Sequence, residues 1–337
     1  MNKPPLGAAF EREIREQPDV WARLADSDKA VQLAEALDGD VVLVGSGSSL
    51  FAAQLGALAL RRRSIRAEAV ASTEAGLDHC AYERRIVIAI SQSGRSTDVL
   101  KAVDVLRPSR LIALTNTADS PLGDRADLTI DIEAGRETAV PATKSVTATI
   151  AILLWAASLL GDDGKRDPSA LLITARTVRK WLNETAAAEL SEPAQRIALR
   201  RHVILLGSDY GLPIANEVAL KIKEAAYMHA EGFSAGEFRH GSIAMVDASY
   251  AVVGIVDSDA LPAMQKSLRD LQATEALRYT IGRGNIDDIP SLGPTVEDPY
   301  NTLAWLVTAQ MLALQIARIA HIDSDSPRGL TKALTGG

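Results

Sequence analysis

The sequence predicts an α/β protein of two tandem halves, each a parallel sheet covered by helices on both faces. Short β-branched, apolar runs without polar alternation recur between helical patterns, as expected for strands buried on both sides. Several of these runs stop at glycine or small hydroxyl residues and pass straight into a helical segment, the strand–turn–helix order of a right-handed crossover. The pattern then starts again at an offset of roughly 160 residues, which reads as an internal duplication.

In chain order, residues 8–36 read as two helices, with Pro18 near a helix start and Val20, Trp21 and Leu24 at helical spacing. VVLVGSGSS (41–49) is a strand and tight turn leading into the helix LFAAQLGALALRRR; 67–71 is a further strand. IVIAISQSG (86–94) repeats the motif, with TDVLKAVDVLRP as its helix; RLIALTN (110–116) and LTIDI (128–132) are strands, and a long helix runs from Lys144 to Leu160. Residues 168–200 are helical. HVILLGSDYGLP (202–213) then echoes the first strand and turn, and NEVALKIKEAAYMHAE (216–231) its helix. YAVVGIVDSDA (250–260) matches the strand before SQSG, and 301–320 echoes the long helix. The division falls within 162–195: residues 1–180 hold the N-terminal helices and the first α/β domain, and 181–337 the second with a C-terminal tail.

The 337 residues are 47 % hydrophobic and 23 % charged, a globular composition long enough for two cores. Lys and Arg number 36 against 43 Asp and Glu, a net charge of −7, which argues against nucleic acid and anionic membranes as partners. One cysteine, Cys80, excludes an internal disulfide and a cysteine zinc site, and it suggests a reducing compartment. The polar N-terminus has no secretory pattern and the run 150–160 is too short to span a bilayer, so the expected location is the cytoplasm.

Ligands of open parallel sheets sit beyond the carboxyl ends of the strands. Two such ends here are rich in hydroxyls: Ser46, Ser48 and Ser49, and Ser91, Gln92, Ser93, Ser96 and Thr97. Both lead into helix N-termini, which favour phosphate, and Gly47 and Gly94 let the backbone approach closely. The plain alternative is that Ser49, Ser96 and Thr97 are N-caps. GSGSSL lacks the third glycine of a dinucleotide fingerprint, so no nicotinamide cofactor is expected.

On the helix from 217, Glu217, Lys221 and Glu224 share one face, and spacing alone favours a solvated row of ion pairs. The loop SAGEFRHG then places His240 between glycines, where an imidazole can act as acid or base near neutral pH. His229 and Glu231 are expected to orient the end of that helix; no metal spacing is present. In the tail DSDSPRGLTKALTGG, Lys332 is a surface lysine by default, or an amine for carbonyl chemistry if brought into a pocket.

SQSGRSTD, AVPATKSVT, ALKIKEAAYMHAEGFSAGEFRHGSIAMVD and DSPRGLTK together resemble the sugar isomerase (SIS) domain family over nearly the whole chain, and within it the isomerase half of glutamine–fructose-6-phosphate aminotransferases. The resemblance implies two SIS domains, each a five-stranded parallel sheet between helices, flavodoxin-like and three-layered. It implies a hexose 6-phosphate or aminohexose 6-phosphate held by Ser48, Ser49, Ser91, Gln92, Ser93, Ser96 and Thr331, with the backbone of Val140 lining the sugar pocket. It assigns C1–C2 proton transfer to Glu224 with Lys221 assisting, ring opening to His240, and the open-chain carbonyl to Lys332. His240 would come from a partner subunit, so a homodimer is expected, with no cofactor and no metal.

Several positions depart from that pattern: Arg95 stands where the aminotransferases carry Glu, Ser242 replaces proline, and GLTK replaces NLAK. Asn2 stands where their glutaminase half begins with cysteine, and no room for that half is expected in this chain. The expected activity is therefore an aminosugar-phosphate deaminase/isomerase, converting glucosamine 6-phosphate to fructose 6-phosphate and ammonia. The alternatives are a ketose/aldose phosphosugar isomerase, a fructosamine-6-phosphate deglycase, and a non-catalytic phosphosugar-binding regulator.

Overall fold

The computed structural model describes residues 4–77, 82–161, 168–257, 261–282, 286–297 and 299–332; Cys80 lies outside them. The chain forms two compact units. The first-sheet unit comprises Asp19–Glu137, Lys144–Leu172 and Lys332–Gly337, and the second-sheet unit Met1–Pro18, Thr138–Thr143 and Ile173–Thr331.

Helices α1 (Ala8–Ala25) and α2 (Lys29–Glu35) open the chain. Pro18 lies inside α1 rather than near a helix start. Proline cannot donate to the carbonyl four residues back. Here that carbonyl, of Ile14, accepts instead from Gln17 Nε2 at 3.0 Å, which explains how the helix runs through.

The first-sheet unit contains β1 (Val41–Gly45), α3 (Ser48–Arg61), β2 (Ala67–Ala71), β3 (Ile86–Ile90), α4 (Thr97–Leu106), β4 (Arg110–Thr115), β5 (Leu128–Asp131) and α5 (Lys144–Leu159). All five strands are parallel, in the order β2-β1-β3-β4-β5. Alternate residues face opposite sides. Val42, Val44, Val87, Ala89, Leu111 and Ala113 pack with the apolar side of α4. Leu43 faces the other way, towards Gly56 of α3, where a side chain would also meet Leu153 of α5. Burial on both faces is why these strands read as unbroken apolar runs.

Helices α6 (Ser169–Glu184), α7 (Ala186–Glu189) and α8 (Ser191–Ala198) follow. The second-sheet unit then adds β6 (His202–Gly207), α9 (Gly211–Ala226), β7 (His229–Ser234), β8 (Tyr250–Val256), α10 (Leu261–Asp270), β9 (Leu277–Gly282), β10 (Ser291–Leu292) and α11 (Asn301–Ile319). Its order, β10-β9-β8-β6-β7, reproduces the first topology, so the duplication read from sequence is one of fold. Ile204, Leu206, Val252 and Val256 pack with Met264 and Leu268 of α10, while α9 and α11 pack against each other. By length and apolarity α11 could cross a membrane, but 83 % of it is buried inside the protein.

A second element differs from its sequence reading. The helix expected to continue to residue 231 ends at Ala226, because Tyr227 takes a left-handed conformation (φ +55°). His229 and Glu231 therefore lie on the edge strand β7 rather than at a helix end.

Candidate active site

In the first sheet the strand order reverses between neighbours β1 and β3, the switch point where such sheets bind ligands. The two hydroxyl-rich turns leave the sheet there. After β1, Gly47 (φ +53°) sits at the N-cap position of α3, so Ser48 and Ser49 are its first helical residues. The Ser46 hydroxyl hydrogen-bonds that of Ser72. After β3, Gly94 has φ +62°, and a side chain in its place would run into Ser120. Ser91 and Ser93 are buried, and Gln92 and Ser96 half-buried.

Capping does not account for these hydroxyls. Ser49 and Thr97 are inside their helices, and Ser96, at the N-cap position of α4, makes no side-chain capping bond. The second sheet reverses between β6 and β8, and there the strands end next to Asp209 and Asp257. Carboxylates at that position disfavour a phosphate, whereas the seryl turns offer donors without negative charge.

The first-sheet unit also holds a carboxylate that sequence reasoning missed, beside the Lys332 that it named. The buried side chain of Glu137 accepts from the Ser145 N–H (3.2 Å to Oε1), the Ser145 hydroxyl (2.7 Å to Oε2) and Lys332 Nζ (2.8 Å to Oε2). Ser145 is the second residue of α5, so the carboxylate sits at a helix N-terminus, where negative charge is favoured. Lys332 is thus no surface lysine: its side chain is 10 % exposed. The available signal was a lone acidic residue just before AVPATK.

In the second-sheet unit, Lys221 Nζ lies 2.5 Å from Glu224 Oε2 and 3.6 Å from Glu217 Oε1. The expected solvated face is buried instead: Lys221 and Glu217 are 1 % exposed and Glu224 18 %. Such a pair has lost hydration and depends on its own geometry. Glu224 lines a cleft of about 340 Å³ together with Lys223, Tyr227, His229, Arg328 and Leu330. The Arg328 backbone N–H donates to the Tyr227 hydroxyl (2.7 Å), and its guanidinium lies 4.5 Å over that ring, which docks the tail at the cleft.

The segment bearing Val140 is fixed in the same unit. The Val140 N–H donates to the Asp325 carbonyl (3.1 Å), so only its own carbonyl remains for a ligand. Buried Glu13 accepts from the Thr138 N–H at 2.6 Å and the Ala139 N–H at 3.2 Å. Thr331 is exposed. His240 is exposed too, at the end of a single 3-10 turn (Glu237–His240) anchored by buried Phe238. Among the described residues no group of three or more His, Cys, Asp or Glu is placed to hold a metal ion.

The first-sheet unit therefore offers neutral donors for an anion and a held lysine. The second-sheet unit offers a desolvated carboxylate–ammonium pair on a cleft wall, groups able to give and take a proton.

The chain resembles known proteins over most of its length. Residues 37–159 and 196–291 match the family described as SIS domain. The glutamine–fructose-6-phosphate aminotransferase [isomerizing] of Pyrobaculum aerophilum is 32 % identical over 342 residues, covering 96 % of this chain and 57 % of the relative. That of Corynebacterium glutamicum is 31 % identical over 374 residues, covering 99 % and 59 %. The chain thus spans somewhat more than half the length of these curated relatives. Among solved structures, glucosamine-6-phosphate deaminase from Thermotoga maritima superposes with a TM-score of 0.80 at 24 % identity, covering 96 % of this chain and 98 % of that one. Tagatose-6-phosphate ketose/aldose isomerase from Escherichia coli gives 0.79 at 19 %, covering 97 % and 98 %. At these identities the likeness is one of fold.

Proposed function

The chain belongs to the SIS domain family, and we propose that it is an aminosugar-phosphate deaminase/isomerase acting on glucosamine 6-phosphate. In this reading the seryl turns at the β1/β3 switch point bind the phosphate, with Ser48, Ser49, Ser91, Gln92, Ser93 and Ser96 as donors and Thr331 at the tail. His240 opens the sugar ring. Glu224, assisted by Lys221, carries a proton from C2 to C1, which turns the C2 amine into an imine. Water adds to C2 and ammonia leaves, giving fructose 6-phosphate. Lys332, held by Glu137, meets the open-chain carbonyl.

The observation that carries the reading is the Lys221–Glu224 pair, desolvated on one side and open to a cleft on the other. Acid–base steps of this kind contribute about 10²–10⁴ each in rate. The names of the relatives, which couple fructose 6-phosphate to amino transfer and isomerisation, support the substrate class. The exposure of His240 on a short anchored turn supports a homodimer in which that imidazole completes a neighbouring site. The single cysteine supports a cytoplasmic location.

The test is to incubate the purified protein with glucosamine 6-phosphate and assay fructose 6-phosphate and ammonia together, alongside a panel of neutral hexose 6-phosphates and fructosamine 6-phosphate. Release of both products from glucosamine 6-phosphate is expected. Interconversion of neutral sugars alone would make the protein a ketose/aldose isomerase, release of a hexose 6-phosphate and the amine nitrogen from fructosamine 6-phosphate but not from glucosamine 6-phosphate a deglycase, and binding without turnover a phosphosugar sensor.

A further inference from the structure

At the edge of the second sheet, β6 and β7 are parallel neighbours whose first residues, His202 and His229, are directly paired in register. The backbone ladder therefore fixes how the two imidazoles meet. Their rings stand at 89° to one another, and their Nδ1 atoms face each other at 3.3 Å. His202 is held from the opposite side by the ring of Tyr250, the first residue of β8, with centroids 4.7 Å apart. The second nitrogen of His229, Nε2, lies 3.5 Å from Glu231 Oε1, two residues along the same face of β7.

We propose that His202 and His229 form a binding site for a divalent first-row transition ion, with solvent completing its coordination. Zinc held tetrahedrally by two imidazole nitrogens at about 2.0–2.1 Å brings them to about 3.4 Å from each other. The observed separation needs almost no adjustment. Glu231 occupies the place of the carboxylate that commonly orients a metal-bound histidine through its other nitrogen. A proton on Nε2, facing that carboxylate, leaves the Nδ1 lone pair directed at His202. Imidazole nitrogen is a preferred donor for zinc, nickel and copper, whereas magnesium and calcium favour oxygen. His229 is 57 % exposed at its side chain, so an ion can enter from solvent and retain water ligands. Nearby Asp247 is engaged elsewhere: it accepts from the Ser249 hydroxyl (2.6 Å) and N–H (2.8 Å), bonds that hold its carboxyl below the usual range.

The experiment is isothermal titration of the full, untagged chain with zinc chloride after chelator treatment and dialysis. Cobalt absorption spectra serve as a second, optical readout. Saturable binding of one ion per chain is expected, lost in His202→Ala and in His229→Ala and weakened about tenfold in Glu231→Gln. Unchanged circular dichroism in the variants ties the loss to the ligands rather than to folding. The absence of saturable binding, or its persistence in either alanine variant, overturns the proposal. Because the readout is binding, it stands apart from the outcome of the sugar-phosphate assays.

Discussion

Lys332 Nζ lies 2.8 Å from Glu137 Oε2, a carboxylate whose side chain is entirely buried, and the two residues are 195 apart in sequence. The tail lysine is thus oriented by a group that also receives two bonds from the start of α5. Glu137→Gln keeps the shape but opposes the ammonium with a neutral amide. It is expected to destabilise the protein by about 1–3 kcal/mol, read as a lower urea midpoint at unchanged slope. An unchanged midpoint would show that the pair contributes nothing to folding.

The α9 pair predicts a separation between stability and turnover. Lys221→Met leaves Glu217 and Glu224 without their shared counter-charge, and removing one partner of a buried pair costs about 3–5 kcal/mol. Glu224→Gln leaves a hydrogen bond to Lys221 and should be milder in denaturant melts. With glucosamine 6-phosphate, however, it should lose about 10²–10⁴ in turnover while retaining ligand binding by calorimetry. Full activity in that variant would remove Glu224 from proton transfer.

Ser96 separates capping from ligand binding. A working N-cap serine replaced by alanine costs about 1 kcal/mol. Since Ser96 makes no capping bond, Ser96→Ala should leave the melting temperature nearly unchanged. Sugar-phosphate affinity should fall, since a hydrogen bond to a charged group is worth about 1.5–3 kcal/mol, roughly ten- to a hundredfold. A large drop in melting temperature with unaltered affinity would reverse the assignment.

Acid sensitivity should include Glu11. Burial works to raise its pKa, but hydrogen bonds and charge from Arg318 and Arg15 prevail and hold it below the ordinary value. Arg318 lies at 2.7 Å and Arg15 at 2.9 Å. A carboxyl whose folded pKa is depressed adds stability that is present above its unfolded pKa and lost as pH falls through the folded one. The stability difference between the wild type and Glu11→Gln should therefore exist at neutral pH, at most about 1 kcal/mol for a partly exposed pair, and vanish in acid. A difference independent of pH would assign the effect to packing instead.

The first sheet was legible in the sequence almost strand by strand, because helices on both faces force its central strands β1 and β3 to be uninterrupted apolar runs. In the second half only β6 and β8 read that clearly. The edge strand β7, HAEGFS, is partly exposed and polar, β9 carries Arg278 and Thr280, and β10 is two residues long. Pro18 misplaced a helix boundary because its compensation, the Gln17 side chain turned back to Ile14, cannot be read from residue type. The same holds at the site. The seryl turns announce themselves by spacing, and α9 shows its three charges but not their burial. Glu137 shows in sequence only as an acidic residue just before AVPATK, since its role exists only once residue 332 has come back to meet it.

Asp325 has a similar dependence on chain order. Its carboxylate accepts from the N–H groups of Ala9 and Phe10, 2.9 and 2.7 Å away, while Asp323 accepts from Gly7 at 3.0 Å, 316 residues back along the chain. At about 5–20 residues per second, a ribosome needs on the order of 15–60 s to make that intervening chain. The leading amides of α1 go without these acceptors throughout that time. A nascent polypeptide stalled short of Asp325 would expose an uncapped first helix to chaperones and proteases.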